Sequence, residues 1–142
     1  MKAAITAALA ILFVVSPIHA KDDNPPLPPS VMAAKTVYID NQTGDAAITD
    51  RANDALSKWG RFKILNNAKD ADLVLRFTAD TGGRPAPPHN DLDKSPTPVR
   101  LSVLDQTNVE LWFASKNKPF HSQTQLDIEE FKKRIEEQEK GK

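Results

Sequence analysis

The amino-acid sequence predicts an α/β domain whose elements follow the order β-α-β-β-β-β-α, five strands and two helices. Three observations lead there. Five short runs alternate apolar and polar residues at the strand period of two. Two longer runs repeat apolar residues at helical spacing and carry capping residues at their ends. Nine of the 11 prolines cluster in two stretches, residues 21–30 and 81–98, that border these runs, and with no cysteine in 142 residues there is no disulfide framework. Hydrophobic and charged fractions of 39% and 27% fit a folded domain with added segments.

The first of those segments opens the chain. In MKAAITAALAILFVVSPIHA, Lys2 precedes an apolar run over residues 3–15, followed by Ser16, Pro17 and the small residue Ala20 at a cleavage position. This is the pattern of a secretory signal peptide over residues 1–20, and the run is shorter than the roughly 20 apolar residues of a spanning helix. The mature chain is therefore expected to start at Lys21, periplasmic or secreted, with no transmembrane segment after processing. Having no Cys at that start, it is expected to carry no lipid anchor. Processing removes only Lys2 among the charged residues, leaving a net charge of about −1, and a balance so near zero offers nothing to nucleic acid or an anionic membrane.

After the cleavage site, KDDNPPLPPS holds four prolines in ten residues. Each lacks a backbone donor and restricts its predecessor, so residues 21–34 read as a Pro-rich extended linker ahead of a single domain at 35–140. A long irregular loop at 81–98 interrupts that domain.

The elements follow in order. KTVYID alternates, with Val37 and Ile39 on one face and Thr36, Tyr38 and Asp40 on the other, and forms the first strand. DAAITDRANDALSKWG sets Ile48, Ala52, Ala55, Leu56 and Trp59 on one helical face, with Asp45 as N-cap and Gly60 as the stop. RFKIL is a short second strand. ADLVLRFTA is a third, with Leu73, Leu75 and Phe77 opposed to Val74, Arg76 and Thr78. The last two strands form a hairpin. If Val99, Leu101 and Val103 face the core opposite Leu111 and Phe113, paired residue numbers sum to an even total and the loop must be odd in length. Residues 106–108 satisfy this, with Asn108 in the left-handed position that ends a type I turn with a bulge. Trp112 then falls beside Ser102 on the non-core face. Finally, LDIEEFKKRIEEQEK reads as a helix with Asp127 as N-cap, Glu130 completing a capping box and Leu126 stapling Phe131. Ile128, Phe131 and Ile135 line its buried side, while Glu129 with Lys133 and Glu130 with Arg134 line a solvated one.

The stretches KTVYIDNQTGD, KWGRFKIL, ADLVLRF and LSVLDQTNVELWFA resemble bacterial envelope domains of the kind found at the amino terminus of TolB and in CsgG-like and related secreted proteins. Those domains begin with a strand ending near Asp-Asn, pass through a helix into a short F-x-I/V strand, continue with A-D-x-V/L-x and close on a hairpin containing x-L-W. The similarity spans about residues 35–114. It implies a mixed five-stranded sheet in the order 2-1-3-4-5 with the fourth strand antiparallel, and no catalytic centre. The residues alone leave the order open, because the short NNAKD link from the second strand to the third equally allows a tight antiparallel hairpin. CsgG-like relatives are lipoproteins, and the missing cysteine departs from them.

Catalytic constellations in the sequence are thin. Processing leaves only His89 and His121, no Cys, and no Ser in a G-x-S-x-G elbow; no catalytic residue and no cofactor is expected, and the chain reads as a non-enzyme. His89, Asp91 and Asp93 alternate in the long loop and offer nitrogen and oxygen ligands to a divalent cation, although such residues also keep Pro-rich loops solvated. DNQTGD lacks the ligand spacing of a calcium loop and reads as a strand end followed by a helix cap. NQT at Asn41 has the form of a glycosylation sequon.

With both helices on one face of the sheet, the other presents Tyr38, Arg76, Thr78, Arg100, Ser102, Glu110 and Trp112. Tyr38, Arg76, Arg100 and Trp112 are residue types favoured at interaction hot spots; the alternative is that the two aromatics pack against Arg stems or under a covering segment. Three functions follow from these features. One is a secreted or periplasmic interaction or accessory module of the bacterial envelope, partnered by another envelope protein or peptide. A second is a metal-dependent or carboxylate-based hydrolase using His89, Asp91 and Asp93. The third is a small-ligand binder with residues 81–98 as its lid.

Overall fold

The computed structural model describes residues 25–79, 98–114 and 123–141. Residues 1–20, which the sequence reading takes as a signal peptide, most of the 81–98 loop, and with them His89, Asp91 and Asp93, lie outside the described residues. The elements are α1 (Pro29–Ala33), β1 (Thr36–Asn41), α2 (Ala46–Trp59), β2 (Lys63–Leu65), a 3-10 turn (Ala68–Asp70), β3 (Leu73–Ala79), β4 (Val99–Leu104), β5 (Glu110–Ala114) and α3 (Gln123–Lys140). One sheet holds all five strands in the order β2-β1-β3-β4-β5. β1 is parallel to both β2 and β3, and β4 runs antiparallel to β3 and β5. This is the mixed sheet and strand order that the resemblance implies, so the link from β2 to β3 is not a hairpin. Parallel strands ordinarily need a connection of a dozen or more residues. A shorter one suffices here because β2 is three residues long: Leu65 pairs with Tyr38 and Leu73 with Val37, so residues 66–72 step back by only one residue level while passing β1. Asp72 fixes the landing point. Its Oδ2 accepts from the Lys35 and Thr36 backbone amides at 2.8 and 2.9 Å and from Thr36 Oγ1 at 2.9 Å, while Thr36 Oγ1 accepts from the Asp72 amide. These donors hold the carboxyl below its ordinary value, the Lys35 amide contributing most.

Local chemistry sets α2 as the sequence predicts. The Asp45 side chain accepts from the Ala47 amide at 2.9 Å, and Gly60 ends the helix in the left-handed region at φ 70°, donating its N–H to Leu56 O. Asn41 ties the strand to the cap: its Oδ1 accepts from Thr43, and its Nδ2 donates to Asp45 O and Thr49 Oγ1. DNQTGD is thus a strand end leading into a helix cap.

Both long helices cover one sheet face. Ile48, Ala52 and Leu56 of α2 and Ile128, Phe131 and Ile135 of α3 join Val37, Ile39, Leu73, Leu75, Phe77, Val99, Leu101 and Val103 in a single core. Each of these Val, Leu, Ile and Phe side chains, fully buried, contributes roughly 1.5–3 kcal/mol, and the Ala52 methyl less. At the rim, Trp59 meets Phe62 edge to face at 5.1 Å and Phe131 at 6.0 Å. Trp59 is half-buried, the wall of the core and not its centre.

Two expectations are corrected. Residues 25–34 are not a free extended linker: Leu27, Val31 and Ala34 are buried in the core, and Pro29 opens the one-turn α1 at a position where its missing N–H costs nothing. Proline density argued against structure, but the aliphatic residues between the prolines find a place to be buried. Asp127, in turn, is no N-cap. It lies inside α3 and is fully buried, because the apolar-side spacing of Ile135, Phe131 and Ile128 continues upstream to the buried Thr124 and carries the helix past the capping box. On the outer face of α3, Lys132 reaches Glu136 at 3.8 Å and Lys133 reaches Glu137 at 3.7 Å.

Candidate functional site

The face of the sheet turned away from α2 and α3 is built in rows. Strand pairing sets Leu65, Tyr38, Val74 and Leu104 side by side, then Asp40, Arg76, Ser102 and Phe113, then Thr78 and Arg100. Of the four predicted binding residues, Tyr38, Arg76 and Arg100 stand on this face. Trp112 does not.

The reason is a β-bulge. The loop itself is as the sequence predicts: Asp105 and Val109 close it by an N–H···O bond of 3.0 Å, and Asn108 takes φ 62°. Asp105 Oδ1 accepts from the Thr107 amide and hydroxyl and the Val109 amide, and the carboxyl lies below its usual range, the Thr107 hydroxyl contributing most. Glu110 then pairs with Leu104 while Trp112 pairs with Val103, so Leu111 is an extra residue between two ladder pairs. One inserted residue reverses the facing of everything beyond it. Leu111 and Trp112 both pack on the core, Trp112 lying 5.2 Å from the Phe131 ring, and Phe113 takes the place on the open face. The run Leu111-Trp112-Phe113 breaks alternation in the sequence, and that break is the one signal from which the bulge was legible.

Phe113 is 53% exposed. The Arg100 guanidinium lies over its ring, 4.1 Å from the centroid, and Arg100 Nη2 donates to both carboxylate oxygens of Glu110 at 2.8 and 3.0 Å. Alongside, Arg76 Nε donates to Asp40 Oδ2 at 2.6 Å and its Nη2 to Asn108 Oδ1 at 3.0 Å. Beneath these side chains Val74, Ser102 and Leu104 are buried. Each arginine is therefore neutralised by a carboxylate on its own sheet, and the face combines an exposed ring with oriented, charge-compensated donors and acceptors. Asp40, Asn108 and Phe113 are the members that sequence reasoning missed: the two polar ones become partners of Arg76 only through strand order and loop geometry.

Among the described residues, other places that gather polar or ionisable groups are sparse. A shallow depression of about 390 Å³ is lined by Ser30, Ala33, Ala34, Asp72, Asp105, Gln106 and Thr107. Its two aspartates serve as backbone caps. Among the described residues there is no histidine and no group of three or more His, Cys, Asp or Glu placed to hold a metal. Among those residues, too, no helix is long and apolar enough to cross a membrane.

No family model and no curated protein matches the chain. Solved structures with a distant likeness include an uncharacterized lipoprotein B from Nitrosomonas europaea, determined by solution NMR, at 18% identity over 80% of this chain and 81% of that one, TM-score 0.36. A PelC dodecamer from Paraburkholderia phytofirmans is similar at 14% identity over 74% of this chain and 83% of that one, TM-score 0.40.

Proposed function

We propose that this chain is a non-catalytic interaction module of the bacterial cell envelope that docks an envelope protein or peptide on the open face of its sheet. The observation that carries the reading is the Arg100–Phe113–Glu110 cluster. A half-exposed ring under a guanidinium, held by two paired strands, is presented with little ordering left to lose on binding. Arg76, fixed between Asp40 and Asn108, extends it with a second oriented cation. Charge compensation within the face disfavours polyanions and suits a partner that supplies its own mixed polar and apolar contacts. The envelope location rests on the signal-peptide pattern and on the resemblance of the strand motifs to those of TolB-like and CsgG-like domains.

A photo-crosslinking residue placed at Phe113 in the exported protein tests this directly. It should yield a discrete adduct, and the same residue at Lys58, on the exposed side of α2, should not. Arg76→Ala in the Phe113-labelled protein should weaken the adduct several-fold while the circular dichroism spectrum is unchanged. Equal labelling from Phe113 and Lys58, or none from either, refutes the docking face.

A further inference from the structure

The two edges of the sheet differ. β2 ends one side with three residues and an exposed Lys63, and a short, charged strand is how sheet edges are ordinarily kept from pairing. β5 ends the other side with five residues, none of them Lys or Pro. The large apolar side chains exposed among the described residues, Val109 at 54% and Phe113 at 53%, lie just before this strand and within it. The register shows which main-chain groups of β5 are free. The bond from Asp105 N–H to Val109 O turns the odd-numbered positions of β4 towards β5. Val99 N–H keeps to the same side, donating to Gln123 Oε1 at 3.1 Å past the last β4–β5 pair. Ser102 and Leu104 therefore bond to β3, and their partners on β5, Phe113 and Glu110, turn N–H and C=O outward, away from β4. Among the described residues no hydrogen bond reaches those groups. The arginine beside them is only half committed: Arg100 Nη2 donates to its own Glu110, while Nε and Nη1 have no partner among the described residues.

We propose that a second copy of this chain pairs antiparallel along the outer edge of β5, about a two-fold axis between Leu111 and Trp112, joining the two sheets into one. In that register Glu110 of each copy lies opposite Phe113 of the other, and each such pair exchanges both main-chain bonds. The outward groups of both residues are then all used. Directly opposed side chains stand roughly 5 Å apart at Cβ. Arg100 lies over its own Phe113, 4.1 Å from the ring centroid, so the second copy's Glu110 arrives at the guanidinium whose Nε and Nη1 are uncommitted. Two arginines and two glutamates alternate about the axis, and their charges cancel. The contact is isologous: the carboxylate that one Arg100 still accommodates is the one the other copy carries at the matching place. An arbitrary extended segment would use the main-chain groups but brings no carboxylate to that position. The axis runs perpendicular to the sheet, so the two open faces meet side by side with both Phe113 rings at the centre of a shared surface. This pairing does not rest on the docking of an envelope protein, and the purified chain alone tests it.

Sedimentation velocity of the exported full-length chain over a rising concentration series should show a monomer–dimer equilibrium and no larger species, because a two-fold contact closes on itself. Phe113→Pro removes the outward N–H without removing a bond to β4, and should weaken dimerisation at least about tenfold while the circular dichroism spectrum is unchanged. Charge exchange tests the register. Arg100→Glu alone and Glu110→Arg alone each set like charges against one another across the axis and should be monomeric. An equimolar mixture of the two should dimerise again, since each then meets its opposite. A chain that stays monomeric at every concentration overturns the proposal and leaves the β5 edge to some other partner. A dimer indifferent to Phe113→Pro overturns it as well, placing the contact elsewhere on the molecule. If Phe113→Pro fails to fold, the charge-exchanged mixture decides: a heterodimer supports the pairing, and continued monomers refute it.

Discussion

Replacing Trp112 and Phe113 by alanine, one at a time, measures which of the two the hairpin turns inward. Trp112 pairs with Val103, packs on the core and lies 5.2 Å from the Phe131 ring, whereas Phe113 pairs with Ser102 and is 53% exposed. Truncating a fully buried Trp or Phe to Ala costs about 3–5 kcal/mol. Trp112 is only half-buried, so the loss scales to about 2–3 kcal/mol, including an aromatic contact of roughly 0.5–1.5 kcal/mol. For Phe113 the loss is mainly the stacked Arg100, about 0.5–1 kcal/mol at an exposed site. Urea unfolding followed by far-ultraviolet circular dichroism reads both. With m of about 1.5 kcal/mol/M, Trp112→Ala should lower the midpoint by about 1.3–2 M and Phe113→Ala by about 0.3–0.7 M, at unchanged m. A regular hairpin without the Leu111 bulge demands the opposite order, since it turns Phe113 inward and Trp112 out. Phe113→Ala proving the more damaging of the two would refute the bulge, and with it the composition of the open face.

Further outcomes follow from single contacts. Trp59→Ala should cost about 2–3 kcal/mol in the same urea assay, less than the 3–5 kcal/mol of a fully buried ring, because Trp59 touches Phe62 and Phe131 from the rim. Asp72 has a folded-state pKa below its ordinary 3.8, so its stabilising bonds are fully present above that value and are lost as pH falls through the lower, folded-state one; Asp72→Asn should lower the urea midpoint at pH 7 and flatten its decline between pH 4 and pH 2. Asn108→Gly keeps the left-handed turn and loses only the bond from Arg76, about 0.5–1.5 kcal/mol, and Asn108→Val should cost about 1–3 kcal/mol more, since a β-branched residue is strained at φ 62°; equal midpoints for the two would remove the left-handed turn. Amino-terminal sequencing of the exported protein should begin at Lys21, and an intact Met1 on a membrane-embedded product would refute the signal-peptide reading.

What the sequence by itself determined was much of what neighbours along the chain carry, though not the start of α3 or the single turn α1. The alternation in KTVYID and LVLRFTA is local geometry, as are the Asp45 cap, the Gly60 stop and the left-handed Asn108, and each stands where the sequence predicts. Only the tertiary structure decided the rest. Whether β3 lies beside β1 or β2 depends on which apolar faces meet under α2 and α3, and the residues leave that open because a short link permits either. The aliphatic residues among the prolines at 25–34 became core because α3 offers Gln138 and Arg134 to their backbone, a match between segments about 110 positions apart that no local propensity encodes. For the candidate site the division is sharpest. Tyr38, Arg76 and Arg100 were legible because strand alternation alone places them. Phe113 replaced Trp112 because Leu111 enters the ladder as an extra residue, and in a structure of period two one such residue exchanges the inward and outward sides of every position after it.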